Sequence, residues 1–291
     1  MIYKIENEVL SVEIDSLGGE LMSVKTKADD CEYLWQGDAA YWKGRAILLF
    51  PICGRLFEGK YTYDHVTYEM NSHGFIRACE MQVENQTADR ITFMLSDSEE
   101  TRKQYPFAFC YRVEYKLEQD QIIVGFKVEN IDDKTLIFTL GGHPGFKVPL
   151  ENGLTFDDYY VDFPENHDAE RIDFSPTCFL TGKTIPFAMA NNKVELHHDL
   201  FDDDAIFLKN MGTKAILGSQ KGSKGVEIIC KDMKYFGIWH TPKSDAPFVC
   251  MEPWLGIPSY DGKVDDFTTK RDMIHLPVGE TFTTDFKIRV F

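Results

Sequence analysis

Three ionisable residues in this chain stand in short segments that combine glycine, proline and a bulky aromatic. His143 lies in T-L-G-G-H-P-G-F (139–146), His73 in N-S-H-G-F-I-R (71–77) and Glu252 in C-M-E-P-W-L-G (250–256). Glycine lets backbone approach a ligand closely and proline fixes a turn, so each segment reads as a stiff corner at a strand end. A histidine with a reference pKa of about 6.5 gives up a proton at neutral pH at little cost. A carboxylate beside Pro253 and Trp254 is partly desolvated, which lifts it from a reference near ~4.3 toward values useful in a base. One carboxylate and two imidazoles form a competent acid–base set. Each residue alone reads first as a satisfied structural group, and only the three together put catalysis and structure on an equal footing.

Other chemistries lack their patterns. There is no G-x-S-x-G and no G-x-G-x-x-G, and Gly182-Lys183-Thr184 imitates the end of a phosphate-binding loop whose first glycine is replaced by Thr177. Neither H-E-x-x-H nor H-x-H occurs, which disfavours the common metal sites without excluding a dispersed one. The densest ligand cluster, His197-His198-Asp199 with Asp202-Asp203-Asp204, reads as a solvated acidic loop because neighbouring side chains on a strand point to opposite faces. No metal and no cofactor is expected.

Composition narrows the partners. The 291 residues carry 47 acidic and 31 basic side chains, a formal net charge of −16, with no Lys/Arg-rich run to offset it. Such a surface repels phosphate backbones and anionic lipid, so nucleic acid and membranes are poor partners. Residues 1–10 carry charges throughout and hold no apolar signal-peptide core, and no later stretch is apolar for long enough to span a bilayer. The seven cysteines are odd in number and form no C-x-x-C pair, the usage of reduced thiols. The expectation is a cytoplasmic protein.

The elements that must position these groups read as strands. Residues 2–14 alternate loosely and turn at Ser16-Leu17-Gly18-Gly19 into 20–24, a hairpin. Val113, Tyr115 and Leu117 alternate with charged partners, 118–121 turns the chain, and Val124, Phe126 and Val128 alternate back. Further apolar runs at 135–140, 205–208, 215–217, 226–230, 236–239, 248–251 and 282–291 are separated by Gly, Pro, Asn and Asp clusters. A single helical turn is expected in 96–105, with Ser or Asp capping and acidic residues early. Short runs with turn chemistry between them, and no linker or repeat, predict an all-β sandwich in one domain over 1–291.

With F-P-I-C-G-R-L (50–56), F-D-D-D-A (201–205) and W-H-T-P (239–242) added in order to the three segments above, nearly the whole chain resembles the aldose 1-epimerase (mutarotase) superfamily, closest to its LacX-like branch. The resemblance implies the large antiparallel β-sandwich of the galactose mutarotase type, a supersandwich. It implies interconversion of the α and β anomers of a free aldose through the open-chain aldehyde, with no metal or nucleotide. Carried over by position, Glu252 is the base that takes the C1 hydroxyl proton, His143 the acid that protonates the ring oxygen, and His73 the holder of that oxygen. Arg55 and Asp204 match substrate-holding positions, and Trp239 and Trp254 offer apolar faces to the ring. His240 receives no role and is placed at the surface. A sugar 6-phosphate epimerase is the near alternative, with Arg45, Arg55, Arg77 and Lys147 available for a cationic rim. A non-catalytic carbohydrate-binding protein of the same fold is the other. The expected partner is a small-molecule monosaccharide, the state a monomer or homodimer. Specificity is expected from loops around 31–45, 152–170 and 257–265.

Overall fold

A computed structural model of the chain describes residues 1–166, 168–187 and 189–291. The alternating pair expected around residues 113–128 forms the strands Phe109–Glu118 and Gln121–Asn130, joined by a two-residue turn with Gln119 at φ 55°. Tyr111, Val113, Tyr115 and Leu117 on one strand, and Ile122, Val124, Phe126 and Val128 on the other, are buried, while the residues between them stay partly open. That pair lies inside a nine-stranded antiparallel sheet.

A second sheet has seven antiparallel strands. Their order is Leu180–Pro186, Glu170–Phe174, Ile206–Lys209, Tyr235–Trp239, Phe248–Trp254, Gly141–Lys147 and Ala46–Leu49. Phe248–Trp254 is buried at every position, so its sequence shows a continuous run in place of alternation. The two sheets stack closely where Gly142 meets the Phe286 ring; a Cβ at 142 would stand 2.6 Å from that ring. Chain, sheets and core thus form the large antiparallel β-sandwich that the alternation predicts.

The differences are local. The first hairpin is a three-stranded meander, Ile2–Glu6, Leu10–Asp15 and Glu20–Thr26. The extra turn is made by Asn7, whose Oδ1 accepts from the backbone N–H of Val9 at 2.8 Å and of Leu10 at 2.7 Å. Loose apolar alternation runs straight through this turn and conceals it. The helix is Glu99–Gln104, capped reciprocally by Ser98 and Thr101. All seven cysteines are free, and no described helix is long and apolar enough to cross a membrane.

The turn that carries His73 is held by tight backbone contacts. His73 and Gly74 both have positive φ, 65° and 74°. A Cβ at Gly74 would lie 2.1 Å from the Phe50 carbonyl oxygen, while one at Gly153, φ 86°, would meet nothing within 4 Å. Gly153→Ala should therefore cost only the left-handed penalty of roughly 1–2 kcal/mol. Gly74→Ala should cost clearly more in urea unfolding and displace His73. Equal costs for the two changes would mean that the Phe50 contact relaxes freely.

Candidate active site

Register builds the site. Gly141 pairs with Trp254 and Gly145 with Cys250, so His143 falls opposite Glu252. His143 also pairs with Ile47, and Glu252 with Gly237, which pairs with Phe207. One row across the sheet is thus Ile47, His143, Glu252, Gly237 and Phe207, on the face turned away from the nine-stranded sheet. A Cβ at Gly237 would crowd the Phe207 ring at 2.7 Å and the Glu252 Cβ at 3.1 Å, so glycine here makes room for the acidic side chain. Gly141 and Gly145 flank His143 on the same face, and side chains there would strike Trp254 at 2.8 Å and Trp42 at 3.1 Å. The glycines of G-G-H-P-G-F are accordingly close-approach positions inside a strand, Gly141–Lys147. His143 and Glu252 sit within strands, not on strand-end corners as expected; only His73 occupies a turn.

Over this row opens a cavity of about 490 Å³. It is lined by all seven residues singled out from the sequence: His73, His143, Glu252, Arg55, Asp204, Trp239 and Trp254. His143 Nε2 stands 3.4 Å from Glu252 Oε1, and both side chains are almost wholly buried, at 9 % and 2 % exposure. The His73 ring centroid lies 5.5 Å from that of His143 and 5.4 Å from that of Trp254. Trp42 tilts over His143 at 5.0 Å and Trp239 meets it edge-on at 5.6 Å. The Gly54 N–H donates to His73 Nδ1 at 3.3 Å, so the proton of neutral His73 is on Nε2.

Burial sets the protonation of the floor. It pushes Glu252 well above the ordinary carboxylate range, with the Asp204 charge adding to the effect. It pulls His143 down to about 3. His73 is lowered by burial first, then by His143, Arg77 and Arg55. The neutral forms therefore prevail, and the Glu252–His143 pair holds one proton on the carboxyl side, with His143 Nε2 placed to accept it. Glu252 Oε1 and His143 Nδ1 are buried with no hydrogen-bond partner.

The rim is more open. Arg55 Nη2 lies 3.6 Å from Asp204 Oδ2, with Arg55 half exposed. Asp204 adopts φ 77°, and its Oδ2 accepts from the Cys178 thiol at 2.8 Å. Burial and the Asp204 carboxylate push that thiol up to about 11, so it remains a donor. Of the three consecutive aspartates, Asp203 and Asp204 line the cavity and Asp202 does not. Ser259 N–H donates to the Arg55 carbonyl at 2.9 Å, and the buried Lys270 ammonium donates to the carbonyls of Ile257 at 3.0 Å and Pro258 at 3.1 Å. These bonds fix Pro258 in the cavity wall.

Sequence reasoning missed Trp42, Phe174, Cys178 and Phe207, which also line the cavity. Of the expected specificity loops, 31–45 supplies Trp42 and 257–265 supplies Pro258. The loop 152–170, whose residue 167 lies outside the described residues, supplies none of the described lining. Segments around Phe174–Cys178 and Asp203–Phe207 take its place. Of the four cationic candidates, Arg55 and Arg77 reach the cavity; Arg45 instead donates to the Met22 carbonyl and Gln36, and Lys147 does not line it. His240 is fully buried, not at the surface: its Nε2 faces His198 Nδ1 at 3.2 Å. In the acidic loop His197 pairs with Asp199, while Asp203 and Asp204 turn to the cavity. Among the described residues, the one group of donors close enough to share an ion is His143, Cys250 and Glu252, within 4.8 Å of one another.

Comparison with known proteins agrees in fold and in family. The family model described as aldose 1-epimerase matches residues 1–288. The chain is 34 % identical over 266 residues to the chromosomally encoded protein LacX of Lactococcus lactis subsp. lactis, covering 88 % of each chain. Its structure is similar to that of a galactose mutarotase related enzyme from Lactobacillus acidophilus, with TM-score 0.95 and 38 % identity over 100 % of this chain and 97 % of the other. A galactose mutarotase-like protein from Lactobacillus casei ATCC 334 gives TM-score 0.94 and 31 % identity, with both chains covered in full.

Proposed function

The chain belongs to the aldose 1-epimerase family, and on that premise we propose that it interconverts the α and β anomers of a free aldohexose, acting as a single domain on a monosaccharide in the cytoplasm. The observation that carries this reading is the buried Glu252–His143 pair, 3.4 Å apart beneath a sugar-sized cavity. Transfer of its one proton from the carboxyl group to Nε2 leaves net charge unchanged, so the pair reaches the carboxylate–imidazolium form without exchanging a proton with solvent.

Ring opening then proceeds in balance. Glu252 takes the proton of the C1 hydroxyl, the C1–O1 bond becomes a carbonyl, and the C1–O5 bond breaks. The electron pair released on O5 takes the proton of His143 Nε2. His73, with Nε2–H as donor, holds O5 while its charge develops. After this step Glu252 is protonated and His143 neutral, the state that burial favours in the empty site. Rotation about C1–C2 exposes the other face of the aldehyde. Closure returns the Glu252 proton to O1, and His143 recovers the O5 proton. Arg55 and Asp204 offer charged partners to the sugar hydroxyls, and Trp239 and Trp254 offer apolar faces.

Polarimetry on fresh α-D-glucose and α-D-galactose tests the reading. The expected result is relaxation faster than in buffer, lost in Glu252→Gln and His143→Ala. A specific observation favours one second reading. Arg77 lines the cavity beside Arg55, and among the described residues no carboxylate pairs with it, so an anionic substituent has a partner there. Acceleration confined to glucose 6-phosphate would move the assignment to that substrate. No acceleration on any of the three sugars would leave a carbohydrate-binding protein.

Cys178 is a positioning residue in this scheme, since its thiol bonds to Asp204 and not to the reacting atoms. Cys178→Ala should raise KM several-fold with kcat nearly unchanged, because Asp204 loses a donor that orients it. Cys178→Ser should restore most of the loss. A matching fall in kcat for both variants would assign the thiol a merely structural role.

A further inference from the structure

We propose that the floor of the cavity also binds a thiophilic divalent cation such as Zn²⁺, held by His143, Cys250 and Glu252, and that the bound ion shuts the site. The second clause rests on the reading of Glu252 and His143 given above; the first does not. The placement follows from register. Cys250 and Glu252 are alternate residues of one strand and share its outer face, while His143 stands opposite Glu252 on the neighbouring strand. Cys250 is fully buried beside Trp42 and Trp239, and Gly145 opposite it leaves room next to the thiol; a Cβ there would lie 3.3 Å from Sγ.

The donor atoms lie within 4.8 Å of one another and all three residues are buried. Glu252 Oε1 lacks a hydrogen-bond partner, and a buried acceptor in that state gains from a cation as it cannot from water alone. One thiolate, one imidazole and one carboxylate suit zinc or cobalt, whereas magnesium and calcium favour all-oxygen shells. Tetrahedral zinc spaces its donors roughly 3.3–3.8 Å apart, so the group must contract by about 1 Å. Side-chain torsions of Cys250 and Glu252 can supply that. His143 and Glu252 line the cavity, so water or a sugar hydroxyl there can fill a fourth position. Binding is not a redox step: the Cys250 S–H and the Glu252 carboxyl release their protons to buffer as S–Zn and O–Zn bonds form, and His143 binds through a ring lone pair. His143 then has no free lone pair to carry a proton, and the metal-bound Glu252 carboxylate is a weaker base.

Co²⁺ titration of the whole chain reads binding without reference to activity. The wild type should develop visible cobalt bands with a near-ultraviolet thiolate-to-cobalt charge-transfer band, and Zn²⁺ should abolish both. Cys250→Ala should lose the charge-transfer band and bind Zn²⁺ at least tenfold more weakly, whereas Cys178→Ala, which removes the thiol at the rim, should keep the band. Glu252→Gln serves as a second variant should Cys250→Ala fail to fold, and it too should weaken Zn²⁺ at least tenfold. Absence of the band in the wild type, or its survival in Cys250→Ala, overturns the site. Zinc should inhibit mutarotation with the same concentration dependence as binding, and full turnover by the zinc-loaded protein overturns the shutting. A Cys250-dependent band in a protein with no mutarotase activity would support the metal site while removing the mutarotase reading.

Discussion

Glu252→Gln is expected to stop mutarotation and at the same time to stabilise the fold. The carboxyl group has 2 % side-chain exposure, and its Oε1 finds no donor. Loss of a positioned general base costs typically ~10²–10⁴ in rate, and the isosteric amide leaves the cavity shape intact. Stability moves the other way. Burial holds the native carboxyl well above its unfolded value, so above that unfolded value the folded state retains a proton that the unfolded chain has released. Stability then falls as pH rises toward the folded pKa, and at neutral pH the wild type bears that cost. An uncharged amide has no such penalty, and its NH₂ can donate to His143 Nε2. Urea unfolding at pH 7 should show the variant more stable than the wild type, and the difference should shrink at pH 5. A less stable variant would mean that the carboxylate is satisfied in the native site. Retained turnover would remove Glu252 from the chemistry.

This opposition between function and stability was only partly legible in the sequence. Desolvation of Glu252 was readable from its Pro and Trp neighbours, because those residues adjoin it in the chain. Its facing of His143 was not, because that depends on register between two strands more than a hundred residues apart, Gly141 against Trp254 and Gly145 against Cys250. Glycine signals were equally ambiguous. Gly141, Gly142 and Gly145 read as a corner, yet each accommodates a large ring, of Trp254, Phe286 and Trp42 respectively. A local pattern cannot separate a glycine that turns the chain from one that admits a neighbour.

The fold was legible where one face of a strand is buried and the other open, as in Phe109–Glu118 and Gln121–Asn130. It was illegible where neither face is buried. Leu180–Pro186 is exposed at every position after Leu180, lies at the sheet edge, and bears the G-K-T that imitates a phosphate loop. The segment before it, 174–178, brings Phe174 and Cys178 to the cavity, and no hydrophobic period marks either residue. Cys178 shows why. A thiol 26 residues from Asp204 in the chain becomes its donor only through the strand pairing of Glu170–Phe174 with Ile206–Lys209.

His143→Asn and His73→Asn are expected to fail in different ways, and the difference separates the acid from the holder. Neutral His73 has its Nδ1 engaged by the Gly54 N–H at 3.3 Å, so Nε2–H is a fixed donor. Burial together with Arg77 and Arg55 disfavours the imidazolium, which suits a group that binds the ring oxygen without passing it a proton. Asparagine retains an N–H donor and tolerates the left-handed backbone at φ 65°. His73→Asn should therefore raise KM several-fold and lower kcat by about tenfold, the scale of one weakened hydrogen bond near 1.4 kcal/mol. His143 has the other environment. Its Nε2 faces a carboxyl group at 3.4 Å, and the proton it receives there is the one O5 needs when the C1–O5 bond breaks. An amide cannot relay that proton, so His143→Asn should lower kcat by ~10²–10⁴ and change KM little. Initial rates across a range of sugar concentrations distinguish the two patterns. The reverse outcome, a large kcat loss in His73→Asn with near-normal kcat in His143→Asn, would exchange the roles of the two histidines and make the Glu252–His143 pair a structural contact beneath the sugar.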